Sequence, residues 1–303
     1  MIRMWPVAAE DEDGRIDAVL STLSGLSRAA CVGLIDDGRV KLGGKVIVKS
    51  ARVSFGDVIE VDLPDPELAD DEPTVILPIV YSDDDLVVID KPTGVAAHPS
   101  VGWSGPTVIG SLAAKGHVLT AYGPLERKGI VHRLDVGTTG LMVVAKSERA
   151  YVSLKDQFRA RTVNKIYHTL VQGRLDPASG TIDAPIDRHP SSSYRFAVLD
   201  SGRPSITHYD TLDAFAYASL LEVHLETGRT HQIRVHMSAL RHPCAGDLTY
   251  GADPKLAARL GLDRQWLHAV TLGFEHPGSY EQVSFTSEYA PDLKAALAKV
   301  QDL

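Results

Sequence analysis

The run from Gly129 to Lys146 constrains the fold more than any other part of the chain. It reads Gly-Ile-Val-His-Arg-Leu-Asp-Val-Gly-Thr-Thr-Gly-Leu-Met-Val-Val-Ala-Lys. Two apolar segments, Ile130 to Leu134 and Leu141 to Ala145, flank Gly137-Thr138-Thr139-Gly140. Aliphatic and β-branched runs bounded by turn residues predict two buried strands around a tight turn. The first strand would deliver Asp135 to the turn on a rigid platform. Arg133, two residues earlier, would project to the same side, because strand side chains alternate. A working carboxylate is one reading of Asp135. A turn aspartate that bonds its own backbone is the other.

Around this centre the chain divides in two, as 303 residues suggest at roughly 100–200 per domain. Residues 1–63 form a small unit. Arg15 to Leu23 has Ile16, Val19, Leu20 and Leu23 on one helical face. Ser27 is placed to cap a second helix, with Ala30, Leu34 and Ile35 inward, which Gly38 ends. Val40 to Leu42 and Lys45 to Val48 flank Gly43-Gly44 as a hairpin, and Val58 to Val61 is a further strand. Residues 64–74, with two prolines before Pro73 and a cluster of carboxylates, read as an acidic linker. Residues 75–303 form the larger unit. Strands are expected at Leu86 to Ile89, Ile166 to Val171, Ser219 to Leu225 and Leu267 to Phe274. Helices are expected at Gly105 to Ala114, from Ser147 to about Arg161, at His231 to Leu240 (Ile233, Met237 and Leu240 inward), and at Asp292 to Val300. Strands and helices mix without a regular βαβ rhythm. The expected class is α+β, with a mixed, largely antiparallel sheet and a small N-terminal α/β unit.

Charge separates possible partners. The net charge of −8 argues against indiscriminate coating of nucleic acid. Its distribution is uneven: residues 1–72 carry 8 basic and 15 acidic side chains, and residues 126–174 carry 10 basic and 4 acidic. A local basic face therefore remains open, because phosphate contacts are local. A solvated helix face would give the same count. Two cysteines, Cys31 and Cys244, are too few for a disulfide framework or a four-thiolate zinc site. His231 and His236 are five apart, off the spacing of a helical zinc pair, so no metal is expected. No dinucleotide fingerprint, P-loop or nucleophile elbow is present, so no nucleotide cofactor is expected. The acidic start, with Glu10 to Asp13, and the proline- and glycine-broken run from Pro92 to Ala114 fit neither a leader nor a membrane helix. The expected setting is cytoplasmic.

Six blocks in order then resemble the RluA/RluD-type pseudouridine synthases. They are Lys91-Pro92-Thr93-Gly94 with His98-Pro99, His132-Arg133-Leu134-Asp135 with Thr138 and Gly140, and Lys165-Ile166-Tyr167. The others are Arg188-His189-Pro190 with Thr207-His208-Tyr209, Thr227 to His236, and Gly246-Asp247 with Tyr250-Gly251. The first unit resembles an S4-like RNA-binding domain, through Arg15-Ile16-Asp17, Leu26-Ser27-Arg28, Gly38-Arg39-Val40 and Gly56-Asp57-Val58-Ile59. It departs from that pattern at Ala29 to Gly33, where basic residues are usual, and at Leu42-Gly43-Gly44.

The resemblance implies isomerisation of uridine to pseudouridine in RNA, with neither metal nor redox cofactor. The base leaves its ribose, turns, and rejoins through carbon 5. Asp135 would be the essential carboxylate, either attacking the anomeric carbon or deprotonating the sugar toward a glycal. Arg234 would pair with it and keep it ionised. Tyr167 would lie against the base and offer a hydroxyl for proton transfer. Extrusion of the uridine costs a few kcal/mol of unstacking, and Arg133 would enter the vacated space. His132, Lys91, Arg229, His231, Arg28 and Arg39 are the further expected RNA contacts. Arg127, Lys128, Lys155, Arg159, Arg161 and Lys165 would face phosphates. The expected substrate is large-subunit ribosomal RNA, with the helix 69 stem-loop favoured, and the expected state is a monomer. Transfer RNA or several RNAs, or a non-catalytic ribosome-assembly factor, are the alternatives.

Overall fold

The computed structural model describes residues 2–24, 28–62, 73–100, 103–120, 122, 127–192 and 194–303, apart from the side chains of residues 29 and 30. The expected cap Ser27 and most of the expected linker lie outside these residues.

Residues 2–62 supply β1 (Ile2–Pro6), α1 (Ile16–Ser24), α2 (Arg28–Asp36), β2 (Val40–Leu42), β3 (Lys45–Val46) and β4 (Val58–Asp62). The strands form an antiparallel sheet in the order β1-β4-β2-β3. Its inner face joins Ile16, Leu20, Cys31, Ile35, Val40, Ile59 and Val61 in a core of its own. Gly38 ends α2 with φ +70°, as expected. Strand β1 was not expected from sequence. Its side chains are mostly exposed, so no buried alternation marks it.

The larger unit runs β5 (Ile79–Ser82), β6 (Leu86–Lys91), α3 (Val108–Ala114), β7 (Thr139–Ala145), α4 (Glu148–Ala160), β8 (Asn164–Gln172) and β9 (Ser179–Asp183). It continues with β10 (Ile186–Arg188), β11 (Phe196–Val198), β12 (Ile206–Ala214), β13 (Ala218–Leu225), α5 (Gln232–Ala239) and α6 (Pro254–Leu260). It ends with β14 (Leu267–Glu275), β15 (Gln282–Thr286) and α7 (Pro291–Gln301). Nine strands make one sheet, β5-β6-β7-β14-β8-β13-β12-β9, with β15 also on β14. The β7–β14 pair is parallel and the other pairs are antiparallel. The expected mixed, largely antiparallel α+β sheet is therefore present.

Strands β6 and β7 sit between two cores. Val87, Ile89, Met142 and Val144 face α3 and the site, whereas Leu86, Val88, Leu141 and Val143 face α4. Burial on both faces explains why these strands read as continuous apolar runs. Gly140 stands at the β7–β14 contact with φ +111°. A Cβ there would lie 2.3 Å from the Ala269 carbonyl oxygen, so only glycine permits this approach.

Three expectations need correction. Ile130 to Leu134 is not a strand. Only Ile130 bridges Val144, and the Val143 N–H then donates to His132 Nε2 at 3.0 Å. A side chain thus takes the place of a ladder carbonyl, and the chain leaves the sheet before Asp135. Helix α3 begins at Val108, because Thr107 caps it by accepting from the Gly110 N–H. Leu240 is exposed beyond the last turn of α5.

Candidate active site

Asp135 opens a four-residue turn in which the Thr138 N–H donates to its carbonyl at 3.0 Å. Its side chain is 15% exposed, so the carboxylate faces a cleft rather than bulk water. Arg234 reaches it from the first turns of α5, with Nη1 donating to Asp135 Oδ2 at 3.2 Å. The rest of the guanidinium forks onto Asp247: Nε to Oδ2 at 2.6 Å and Nη2 to Oδ1 at 3.0 Å. Arg234 also stacks over the Tyr250 ring at 4.9 Å. Burial alone would depress its pKa. The Asp247 hydrogen bonds and the Asp135 charge outweigh that and push it upward, so the guanidinium stays charged.

Helix α5 starts from His231, which holds a left-handed conformation at φ 57°. That bend aims the imidazole at the site. Its Nδ1 pairs with the Tyr250 hydroxyl at 2.8 Å and its Nε2 lies 3.9 Å from Asp135 Oδ2. Burial lowers the His231 pKa, against the pull of Asp135.

Tyr167 enters from the middle of the sheet, where β8 lies between Val223 of β13 and Ala269 of β14. It is 8% exposed and lines the cleft with Asp135, Arg133, Arg229 and Arg234. Among the described residues no partner takes its hydroxyl. Burial first, and the Asp135 charge second, push its pKa upward, so the phenol keeps its proton.

The cleft opens into a second groove. Arg133, Tyr167, Leu225, Gly228 and Arg229 border both, and the groove adds Lys155, Arg159, Arg161 and Lys165. Four of the six cations expected to face phosphates therefore share one wall. Arg127 and Lys128 are not part of it. His132 lines the same groove, stacked on Phe158 with ring centroids 4.6 Å apart. It accepts from Val143, and burial lowers its pKa to about 3, so it is a neutral wall.

Lys91 is not an RNA contact. It is fully buried at the end of β6, and its ammonium donates to the carbonyls of Val95 at 2.9 Å, Pro92 at 3.0 Å and Val136 at 3.3 Å. Burial pushes its pKa down to about 7, against Asp135. Arg28 and Arg39 lie in the small unit. Arg28 is committed in part to the buried Asp17, 2.7 Å away, and Arg39 is half-buried. Asp247 and Tyr250 had no assigned role in the sequence reading. The Gly246-Asp247 and Tyr250-Gly251 pairs were the signal that pointed to them.

A carboxylate bonded to a charged guanidinium thus shares one cleft with a tyrosine whose hydroxyl has no partner among the described residues. The family description RNA pseudouridylate synthase matches residues 85–239, which hold Asp135, Tyr167 and Arg234. The chain belongs to the RNA pseudouridylate synthase family. It is an isomerase that makes pseudouridine in RNA. An S4 domain matches residues 14–59 of the synthase. An uncharacterised RNA pseudouridine synthase of Mycobacterium bovis is 59% identical to it over 298 residues, 97% of each chain. The ribosomal large subunit pseudouridine synthase D of Vibrio parahaemolyticus is 38% identical, over 93% of this chain and 89% of that one. Among solved structures, human RNA pseudouridylate synthase domain containing 1 superposes with TM-score 0.59 at 29% identity, covering 73% of the synthase and 87% of that chain. Among the described residues no helix is long and apolar enough to cross a membrane.

Proposed function

We propose that the synthase isomerises uridine in large-subunit ribosomal RNA, with the helix 69 stem-loop as its target, and that Asp135 is its catalytic carboxylate. The observation that carries the reading is the chain Asp135–Arg234–Asp247. One guanidinium bridges two carboxylates at 2.6–3.2 Å and is itself nearly buried. The fork onto Asp247 holds the guanidinium so that its Nη1 orients the Asp135 carboxylate at the floor of a cleft, ready to attack the ribose carbon or remove a sugar proton. Tyr167 presents a flat face to the base and a protonated hydroxyl that can relay the carbon 5 proton, passing its own proton to water as that one arrives. Arg133, exposed at the mouth, fills the place of the extruded nucleotide.

The basic groove carries the flanking phosphates through Lys155, Arg159, Arg161, Lys165 and Arg229. In this reading residues 1–63 position the RNA, 64–74 link, and 75–303 react. The proposed state is a monomer. The ribosomal substrate of the named relative favours rRNA and the cytoplasm.

The test is tritium release from a large-subunit rRNA transcript labelled at uracil carbon 5, with wild type beside Asp135→Asn. Isomerisation exchanges that hydrogen with water, so wild type should release it and the variant should not. Activity in a folded Asp135→Asn protein would sink the catalytic assignment. Release from transfer RNA alone would move the substrate and leave the chemistry.

A further inference from the structure

We infer that Arg264, held by Asp292, is a positioning residue for the catalytic turn, an inference that rests on the role given to Asp135. Neither Arg264 nor Asp292 has a role in the reading above.

Arg264 is 8% exposed. Its Nε and Nη2 fork onto Asp292 Oδ2 and Oδ1, at 2.7 and 2.9 Å, in the first turn of α7. Its Nη1 donates to the Gly137 carbonyl at 2.7 Å, two residues beyond Asp135. The next residues continue along the turn. Gln265 Nε2 donates to Thr138 Oγ1 at 3.2 Å. His268 Nδ1 meets Thr139 Oγ1 at 2.7 Å, and Ala269 pairs with Gly140. Every position from 137 to 140 therefore meets a residue between 264 and 269. Trp266, fully buried, anchors this segment to α7 again by donating Nε1 to the Leu293 carbonyl at 2.9 Å.

From the other side Lys91 donates to the Val136 carbonyl at 3.3 Å. Two successive carbonyls after Asp135 thus each accept from a buried basic side chain. With the Thr138 N–H bonded back to Asp135, the peptide planes of the turn are fixed. The side chain then leaves it in one direction, toward Arg234. A guanidinium is needed at 264 because one planar group must serve a bidentate carboxylate and a carbonyl together, and an ammonium cannot span both. Loosening the clamp lets the turn shift without touching the RNA contacts. A misplacement of about 1 Å is enough to cost on the order of a hundredfold in rate.

The experiment uses the full chain and the same tritium-release assay, with Arg264→Lys, Asp292→Asn and the double variant, each with its melting curve. We expect kcat to fall roughly 10–100-fold in Arg264→Lys, the scale of a small misplacement of the reacting group, with KM within about twofold of wild type. Asp292→Asn should show a smaller loss in the same direction, and the double variant should be no worse than Arg264→Lys, because both act through one contact. Wild-type kcat in a folded Arg264→Lys, a loss confined to KM, or loss of fold in both single variants would each overturn the inference. If wild type is active and Asp135→Asn dead while Arg264→Lys is unimpaired, only the clamp fails. If Asp135→Asn is as active as wild type, the reading beneath it fails instead.

Discussion

Arg234 orients Asp135 through one hydrogen bond and is itself held by the fork onto Asp247. Asp247 is nearly inaccessible, with its side chain 1% exposed, so it and Arg234 were taken out of water together. Removing one partner of such a pair leaves the other charge stranded. Asp247→Ala should therefore cost about 3–5 kcal/mol of stability and lower turnover as well, read by denaturant unfolding and the tritium assay. A loss of turnover without loss of stability would mean that Asp247 is not the buried support described here. Tyr167 gives the opposite pattern, because no group among the described residues holds its hydroxyl. Tyr167→Phe keeps the flat face and the packing. Its stability should change by less than about 1 kcal/mol, since no internal hydrogen bond is broken. Its turnover should fall on the order of 10²–10⁴-fold if the hydroxyl moves the proton. An unaltered rate in Tyr167→Phe would reduce the residue to a stacking surface.

At the scale of elements, local signals and long-range ones part company. Helix α4 was legible because its cap is local: Ser147 accepts from the Ala150 N–H at 3.1 Å and also donates to Asp85 at 2.6 Å. Ser147→Ala should cost about 0.5–2 kcal/mol, measurable by thermal unfolding. Strand β12 was not legible. Its inward Thr207 is polar and fully buried, satisfied by Gln232 Nε2 and His236 Nδ1, both at 2.9 Å. A buried polar residue whose partners lie on a distant helix hides the period-2 pattern. Asp247 and Arg264 were obscured for the same reason, since each is defined by a partner far along the chain. The core strands and α5 were legible because apolar periodicity is local, and short motifs named Asp135, Tyr167 and Arg234, which line one cleft. Lys91 was misread because a lysine's charge says nothing about which carbonyls surround it.

The small unit carries a pH test of its own. Arg15 hydrogen-bonds Asp17 and holds its carboxyl well below its ordinary 3.8, at about 2, against the opposing effect of burial and with help from Arg28. The folded form binds this proton less readily than the unfolded chain. Its contribution is complete above about pH 4 and is lost as pH falls toward 2. Acid should thus expose the amides of Val40, Ile59 and Val61 to hydrogen exchange over that window, and Asp17→Asn should flatten the response. An unchanged acid profile in Asp17→Asn would show that the Arg15–Asp17–Arg28 cluster does not set it.

For the whole molecule, the charge map explains how a chain of net charge −8 handles RNA. Six of its 31 lysines and arginines line one groove beside the cleft, while residues 1–72 are acidic. Binding should weaken with salt, because each phosphate neutralised releases counterions. The slope of log K against log salt falls by about 0.7 per phosphate on single strands and 0.9 on duplex. Replacing Lys155, Arg159 and Lys165 together by glutamine removes three groove cations but no residue that touches Asp135. The salt slope should therefore shrink by roughly 2–3, and KM should rise with kcat nearly unchanged. Among the described residues, none from 1–72 lines this groove. Deleting them should weaken discrimination among long rRNA transcripts while leaving turnover on a short stem-loop close to that of the full chain, provided the truncated protein melts cooperatively. If instead the truncation lost its salt slope and the groove variant kept it, the phosphates would be held by the N-terminal module, and the basic groove would be only a solvated surface beside the site.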